Sequence, residues 1–181
     1  MVYPAAKSNI MALSFNEKTK ARIPKILAKY PNKMAATLPL LWLAQEEFGY
    51  ISQDAINLVA ETLDLPPAHV YGVATFYTMH NKKPVGTYHI QVCTNASCMI
   101  CGSYDVLGKF EKVLGIKAGQ TTKDKLFTLS EVECLAACGG APAVQINEKY
   151  YEPVTPDKVE ELVEQLRKDN ASKQKGSPSS K

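Results

Sequence analysis

The five cysteines, all between residues 93 and 138, constrain this chain more than any other feature. Cys93 and Cys98 enclose four residues, Cys134 and Cys138 enclose three, and Cys101 stands by itself after the first pair. Each pair follows a run that reads as a strand. Tyr88, Ile90 and Val92 alternate with His89 and Gln91, a period of two. A second strand is expected from about Leu126 to Val132. Between them Val106, Leu107, Phe110, Val113 and Leu114 form the inward stripe of a helix from about Ser103 to Leu114. A strand, a crossover helix and a second strand suggest a parallel pair. If the two strands are neighbours, both cysteine loops leave the sheet at one edge.

The remainder of this half continues the pattern. A third strand is expected over Ala143 to Ile146, turning at Asn147 and Glu148 into a fourth around Tyr150 and Tyr151. Thr155 and Pro156 open a last helix with Val159, Leu162, Val163 and Leu166 inward. The order is β-α-β-β-β-α. The first half reads as helix throughout. Ser14 and Glu17 fit a capping box for a helix running to about Tyr30, with Pro24 inside it. Met34, Leu38, Leu41, Trp42 and Ala44 mark a second helix, ending near Gly49. Ser52 caps a third, with Ala55, Ile56, Val59 and Leu63 on one face. Pro66 and Pro67 open a fourth, carrying Val70, Val73, Phe76 and Tyr77. We therefore expect a helical bundle over residues 14–82 and a mixed domain, α+β or α/β in class, over residues 84–168. The polar tail, residues 169–181, is expected to be disordered.

Five cysteines in a reducing compartment point to metal or redox chemistry before disulfides. Four thiolates converging from two loops suit a 2Fe–2S cluster. Thr94, Ala96 and Ser97 in the first loop, and Ala136, Ala137, Gly139 and Gly140 in the second, are small enough to let backbone N–H groups approach the sulfurs. Such hydrogen bonds spread the cluster's charge and raise its potential. Three other readings stay open on spacing alone. Zinc also takes four thiolates, and the C-x3-C half fits its spacing. Cys98 and Cys101 form a C-x-x-C ahead of a helix, as in a thiol–disulfide enzyme. The cysteines could also be plain core residues. Within the iron–sulfur reading, Cys93, Cys98 and Cys101 match C-x4-C-x2-C, the opening of the plant-type ferredoxin pattern. That choice would leave one of Cys134 and Cys138 idle, and a helix follows Gly102 almost at once. Cys101 is therefore expected to be a non-ligand.

Composition removes other classes. Apolar residues at 45% and charged residues at 22% are ordinary for a globular chain with its own core. The net charge of +3 calls for no nucleic acid or membrane surface. No apolar run reaches the length of a spanning helix, so direct membrane insertion is not expected. The first 15 residues read as neither secretory signal nor transit peptide, which suggests a cytoplasmic protein. No strand is followed by G-x-G-x-x-G, so no nicotinamide site is expected. His69, His80 and His89 are expected to be packing or surface residues.

Four ordered blocks carry a resemblance: LAQEEFGYIS at Leu43 to Ser52, HVYGVATFYTMH at His69 to His80, VCTNASCM at Val92 to Met99, and ECLAACGGAPAVQIN at Glu133 to Asn147. In these the chain resembles the 24-kDa 2Fe–2S subunit of the NADH dehydrogenase module of respiratory complex I (NADH:quinone oxidoreductase). The resemblance implies a helical bundle followed by a thioredoxin-like domain. It implies one 2Fe–2S cluster on Cys93, Cys98, Cys134 and Cys138, carrying single electrons. It also implies a flavoprotein partner that binds FMN and NADH, and a place in a peripheral arm at the cytoplasmic face of the membrane. The same module occurs in NAD-linked hydrogenases and formate dehydrogenases, and a free ferredoxin shuttle is a further alternative. Cys101 departs from the family pattern.

Overall fold

The computed structural model describes residues 13–176. The first 12 residues, most of the segment judged above for targeting signals, and the last five residues of the tail lie outside the described residues. The chain divides into two compact units, one ending at Pro84 and the other starting at Val85.

The first unit holds helices α1 (Glu17–Leu27), α2 (Thr37–Phe48), α3 (Gln53–Leu63) and α4 (Pro67–Phe76). Its core is Leu40, Leu41, Ala44, Ile51, Ala55, Val59, Leu63, Val70 and Ala74 with Phe15. Boundaries follow the expected chemistry. The Ser52 hydroxyl accepts from the Ala55 N–H at 3.1 Å, Gly49 closes α2 at φ +81°, and Pro67 stands at the start of α4. The capping box at Ser14 and Glu17 is corrected. Asn16 caps α1, its side chain accepting from Thr19 N–H at 2.8 Å. The reciprocal acceptor for the Asn16 N–H is Glu47 on α2, at 2.7 Å. Glu17 instead pairs with Lys20. A tertiary acceptor thus takes the place of the local one, and the helix starts later than the capping box implied. Helix α1 ends at Leu27, and single-turn hydrogen bonds carry the chain on to Tyr30.

The second unit contains β1 (Tyr88–Cys93), a short helix α5 (Ala96–Ile100), α6 (Ser103–Leu114), β2 (Phe127–Val132), β3 (Val144–Ile146), β4 (Lys149–Tyr151) and α7 (Lys158–Gly176). The sheet order is β2-β1-β3-β4. Strands β1 and β2 are parallel, with Cys93 opposite Val132. The β1–β3 and β3–β4 pairs are antiparallel. The core joins Tyr88, Ile90 and Val92 of β1 to Phe127 and Leu129, to Val106 and Phe110 of α6, and to Val159, Val163 and Leu166 of α7. Gly86 lets the chain enter β1 closely beside β2: a Cβ there would lie 2.8 Å from the Phe127 carbonyl carbon. The tail expectation is corrected from residue 169 to residue 176, which continue α7. No Pro or Gly interrupts that stretch before Gly176, and Gln165 to Asp169 adds a side-chain bond one turn apart at 2.8 Å.

Candidate iron–sulfur site

The parallel pairing of β1 and β2 brings the two cysteine loops side by side. Thr94 N–H donates to Val132 O at 3.0 Å, so the ladder continues past Cys93 into both loops. Beyond it, Thr94 Oγ1 donates to Glu131 Oε1 at 2.9 Å. The Cys93 thiol faces the Glu133 carbonyl at 3.9 Å, one residue before Cys134.

Cys93 and Cys98 are buried and pack with Ala143, flanked by Val132, Leu135, Ala137 and Ala141. Cys98 is placed by α5, a helix that the sequence pattern did not signal. Asn95 caps it, its side chain accepting from Ala96 N–H at 2.8 Å. Burial pushes the Cys98 thiol above its ordinary range. A hydrogen bond from the Ala143 N–H works the other way, and the neighbouring Cys93 and Cys138 raise it further. Cys93, Cys98 and Cys138 therefore interact across the two loops. Neither Cys101 nor Cys134 is among the groups acting on Cys98.

Cys134, Cys138 and Cys101 are exposed. Cys134 makes a local contact within the second loop. Its sulfur accepts from the Ala136 N–H at 3.3 Å, and Ala136 holds φ +55°. Cys138 opens a single turn through Gly140. Cys101 terminates α5, two residues before α6 begins. Among the described residues, no group of three His, Cys, Asp or Glu side chains is drawn together closely enough to hold a metal ion. The donor set fits a two-iron cluster: soft thiolates from two loops, with the Ala136 amide already directed at Cys134.

Ala143 was not singled out in the sequence, although it touches both cysteines of the first loop. Its carbonyl accepts from Cys93 N–H at 3.1 Å, and the residue packs against both Cys93 and Cys98. Nothing in cysteine spacing signals this, because Ala143 arrives from the opposite neighbour of β1. The histidines sit elsewhere: His89 bonds Ser130 Oγ at 2.8 Å, and His80 lies edge-on to Trp42 at 5.8 Å.

A family model described as thioredoxin-like [2Fe-2S] ferredoxin matches residues 23–167. The chain belongs to that family. Its cofactor is one 2Fe–2S cluster. An NADH-quinone oxidoreductase subunit of Rickettsia bellii is 47% identical over 165 residues, covering 90% of this chain and 99% of the relative. The like-named protein of Rickettsia felis is 48% identical over 159 residues, covering 86% and 95%. The resemblance seen in the four sequence blocks is thereby borne out, and the chain is a subunit of an oxidoreductase complex. A crystal structure of an NAD+-reducing [NiFe]-hydrogenase matches with TM-score 0.62 at 20% identity. It covers 71% of this chain and 22% of the other, and shows the shared fold.

Proposed function

We propose that this chain is the electron-transfer subunit of an NADH-quinone oxidoreductase, holding its cluster through Cys93, Cys98, Cys134 and Cys138 next to the FMN of a flavoprotein subunit. The observation that carries the ligand set is the parallel β1–β2 pair, which ends both strands beside each other at Cys93 and Val132. The name shared by relatives of nearly the same length supports the host complex.

Bound there, the cluster supplies one-electron storage and release. The residues of this chain position and insulate it. Cys93 and Cys98 hold the buried side, backed by Ala143 and Val132. Cys134 and Cys138 hold the exposed side, where a partner's redox group can approach. Four thiolates, and the extra negative charge taken up on reduction, keep the potential low; plant-type centres with the same ligand set lie near about −400 mV. A low potential suits temporary storage of an electron from reduced flavin.

Substrate chemistry belongs to the partner, which binds FMN and NADH. Each unit carries exposed apolar residues suited to docking. In the first, Phe76 is 78% exposed and meets Tyr77 edge-on at 5.0 Å; in the second, Ile100, two residues after Cys98, is 81% exposed. No helix among the described residues is long and apolar enough to cross a membrane. We place the chain in a peripheral arm at the cytoplasmic face.

Electron entry tests this reading. With the flavoprotein subunit present, NADH should develop the spin-half EPR signal of the reduced cluster. The isolated chain should accept an electron from dithionite and none from NADH. Reduction of the isolated chain by NADH would overturn the division of labour.

A further inference from the structure

Strand β4 lies at the far edge of the sheet, separated from β1 by β3. Its side chains nevertheless return to the second cysteine loop. Tyr150 Oη donates to the Leu135 carbonyl at 3.2 Å. Leu135 C=O and Ala136 N–H are the two ends of one planar peptide group, and they point in opposite directions. The Ala136 end donates to Cys134 Sγ at 3.3 Å. Holding the carbonyl therefore aims the N–H at the sulfur, and polarises it. On the other side of the loop, Glu152 fills the side-chain space of Gly140. A Cβ at residue 140 would lie 2.6 Å from Glu152 Oε2 and 2.7 Å from its Cδ. Two residues beyond Gly140 and Glu152 the backbones are tied again, Val154 N–H donating to Pro142 O at 2.9 Å. These contacts grip both flanks of the Cys134–Cys138 segment.

We propose that Tyr150 and Glu152 form a clasp on this loop: both are positioning residues for the cluster, and they bias its reduction potential in opposite directions. The inference rests on the ligand set proposed above. Tyr150, through the 135–136 peptide, strengthens an N–H···S bond that favours the more negative, reduced cluster. Glu152 brings a negative charge to the Cys138 turn, which disfavours it; being exposed, it acts through a screened field. No ordinary loosening of the loop separates the two signs.

The experiment is a redox titration followed by EPR on the cluster-loaded full chain. Tyr150→Phe is expected to lower the one-electron equilibrium constant about threefold to tenfold, where tenfold is about 59 mV. Glu152→Gln is expected to raise it by about threefold, Gly140→Ala to raise it by displacing the carboxylate, and Glu148→Gln in the exposed turn to leave it unchanged. In the full chain without cluster, the Ala136 amide should exchange with solvent at least about threefold faster in Tyr150→Phe. Unchanged potentials in fully loaded Tyr150→Phe and Glu152→Gln, shifts of the same sign, or an unaltered Ala136 exchange rate would overturn the clasp. A wild-type chain that takes up no iron and sulfide would instead refute the cluster site itself.

Discussion

Replacing His80 by Phe should stabilise the helical unit. His80 is 1% exposed, and neither ring nitrogen has a hydrogen-bond partner among the described residues. A buried polar group without a partner costs about 1–3 kcal/mol, and an apolar group of similar shape removes that penalty. With a urea m-value of about 2 kcal/mol/M, the midpoint should rise by about 0.5–1.5 M. The pH dependence carries a second signature. Burial, and then the Lys82 charge, hold the His80 pKa below the ordinary value of 6.5. The unfolded chain therefore takes the proton first as pH falls. Stability is full above pH 6.5 and is lost below it, by at most about 1.4 kcal/mol per pH unit until the folded-state pKa is reached. Phe at this position has no such slope. The assay is built in, because Trp42 is the only tryptophan and lies edge-on to His80. Urea unfolding followed by Trp42 fluorescence at pH 7.5 and pH 5.5 should show a smaller loss on acidification in His80→Phe than in wild type. An equal loss in both, or a lower midpoint for the variant at pH 7.5, would refute the reasoning.

Four further substitutions probe the site and the two units. Cys101→Ser should leave visible absorption and the EPR signal intact, whereas Cys134→Ser should abolish both or alter them; spectra after anaerobic purification decide. Phe127→Ala removes a fully buried ring that stacks on Tyr88 at 5.7 Å. It should cost about 3–5 kcal/mol, a drop in Tm of more than about 12 °C by calorimetry. Asn16→Ala should cost about 1 kcal/mol by losing the α1 cap, read as a lower urea midpoint.

Much of the fold was legible because it is written in local periodicity. The cap at Ser52, the helix-opening Pro67, the stop at Gly49, the alternation in β1 and the stripes of α6 and α7 each need only a short window of sequence. The parallel β1–β2 pair followed from the crossover helix, and with it the meeting of the two loops. What escaped depends on residues far apart in the chain. Asn16 displaced the expected cap because Glu47 on another helix supplies the second acceptor. Ala143 reaches Cys93 and Cys98 through antiparallel pairing that the cysteine spacing does not reveal. Tyr150 reads only as a strand residue, and Glu152 carries no signal, until the β3–β4 hairpin folds them back on Leu135 and Gly140. The five residues of α5 are too few for periodicity to reveal, although Asn95 is a recognisable cap.

The most direct test of the account is metal and sulfide analysis of the anaerobically purified wild-type chain, with an EPR spectrum after dithionite. The account predicts about two irons and two acid-labile sulfides per chain and a rhombic spin-half signal. Zinc without sulfide, in a colourless protein, would contradict it.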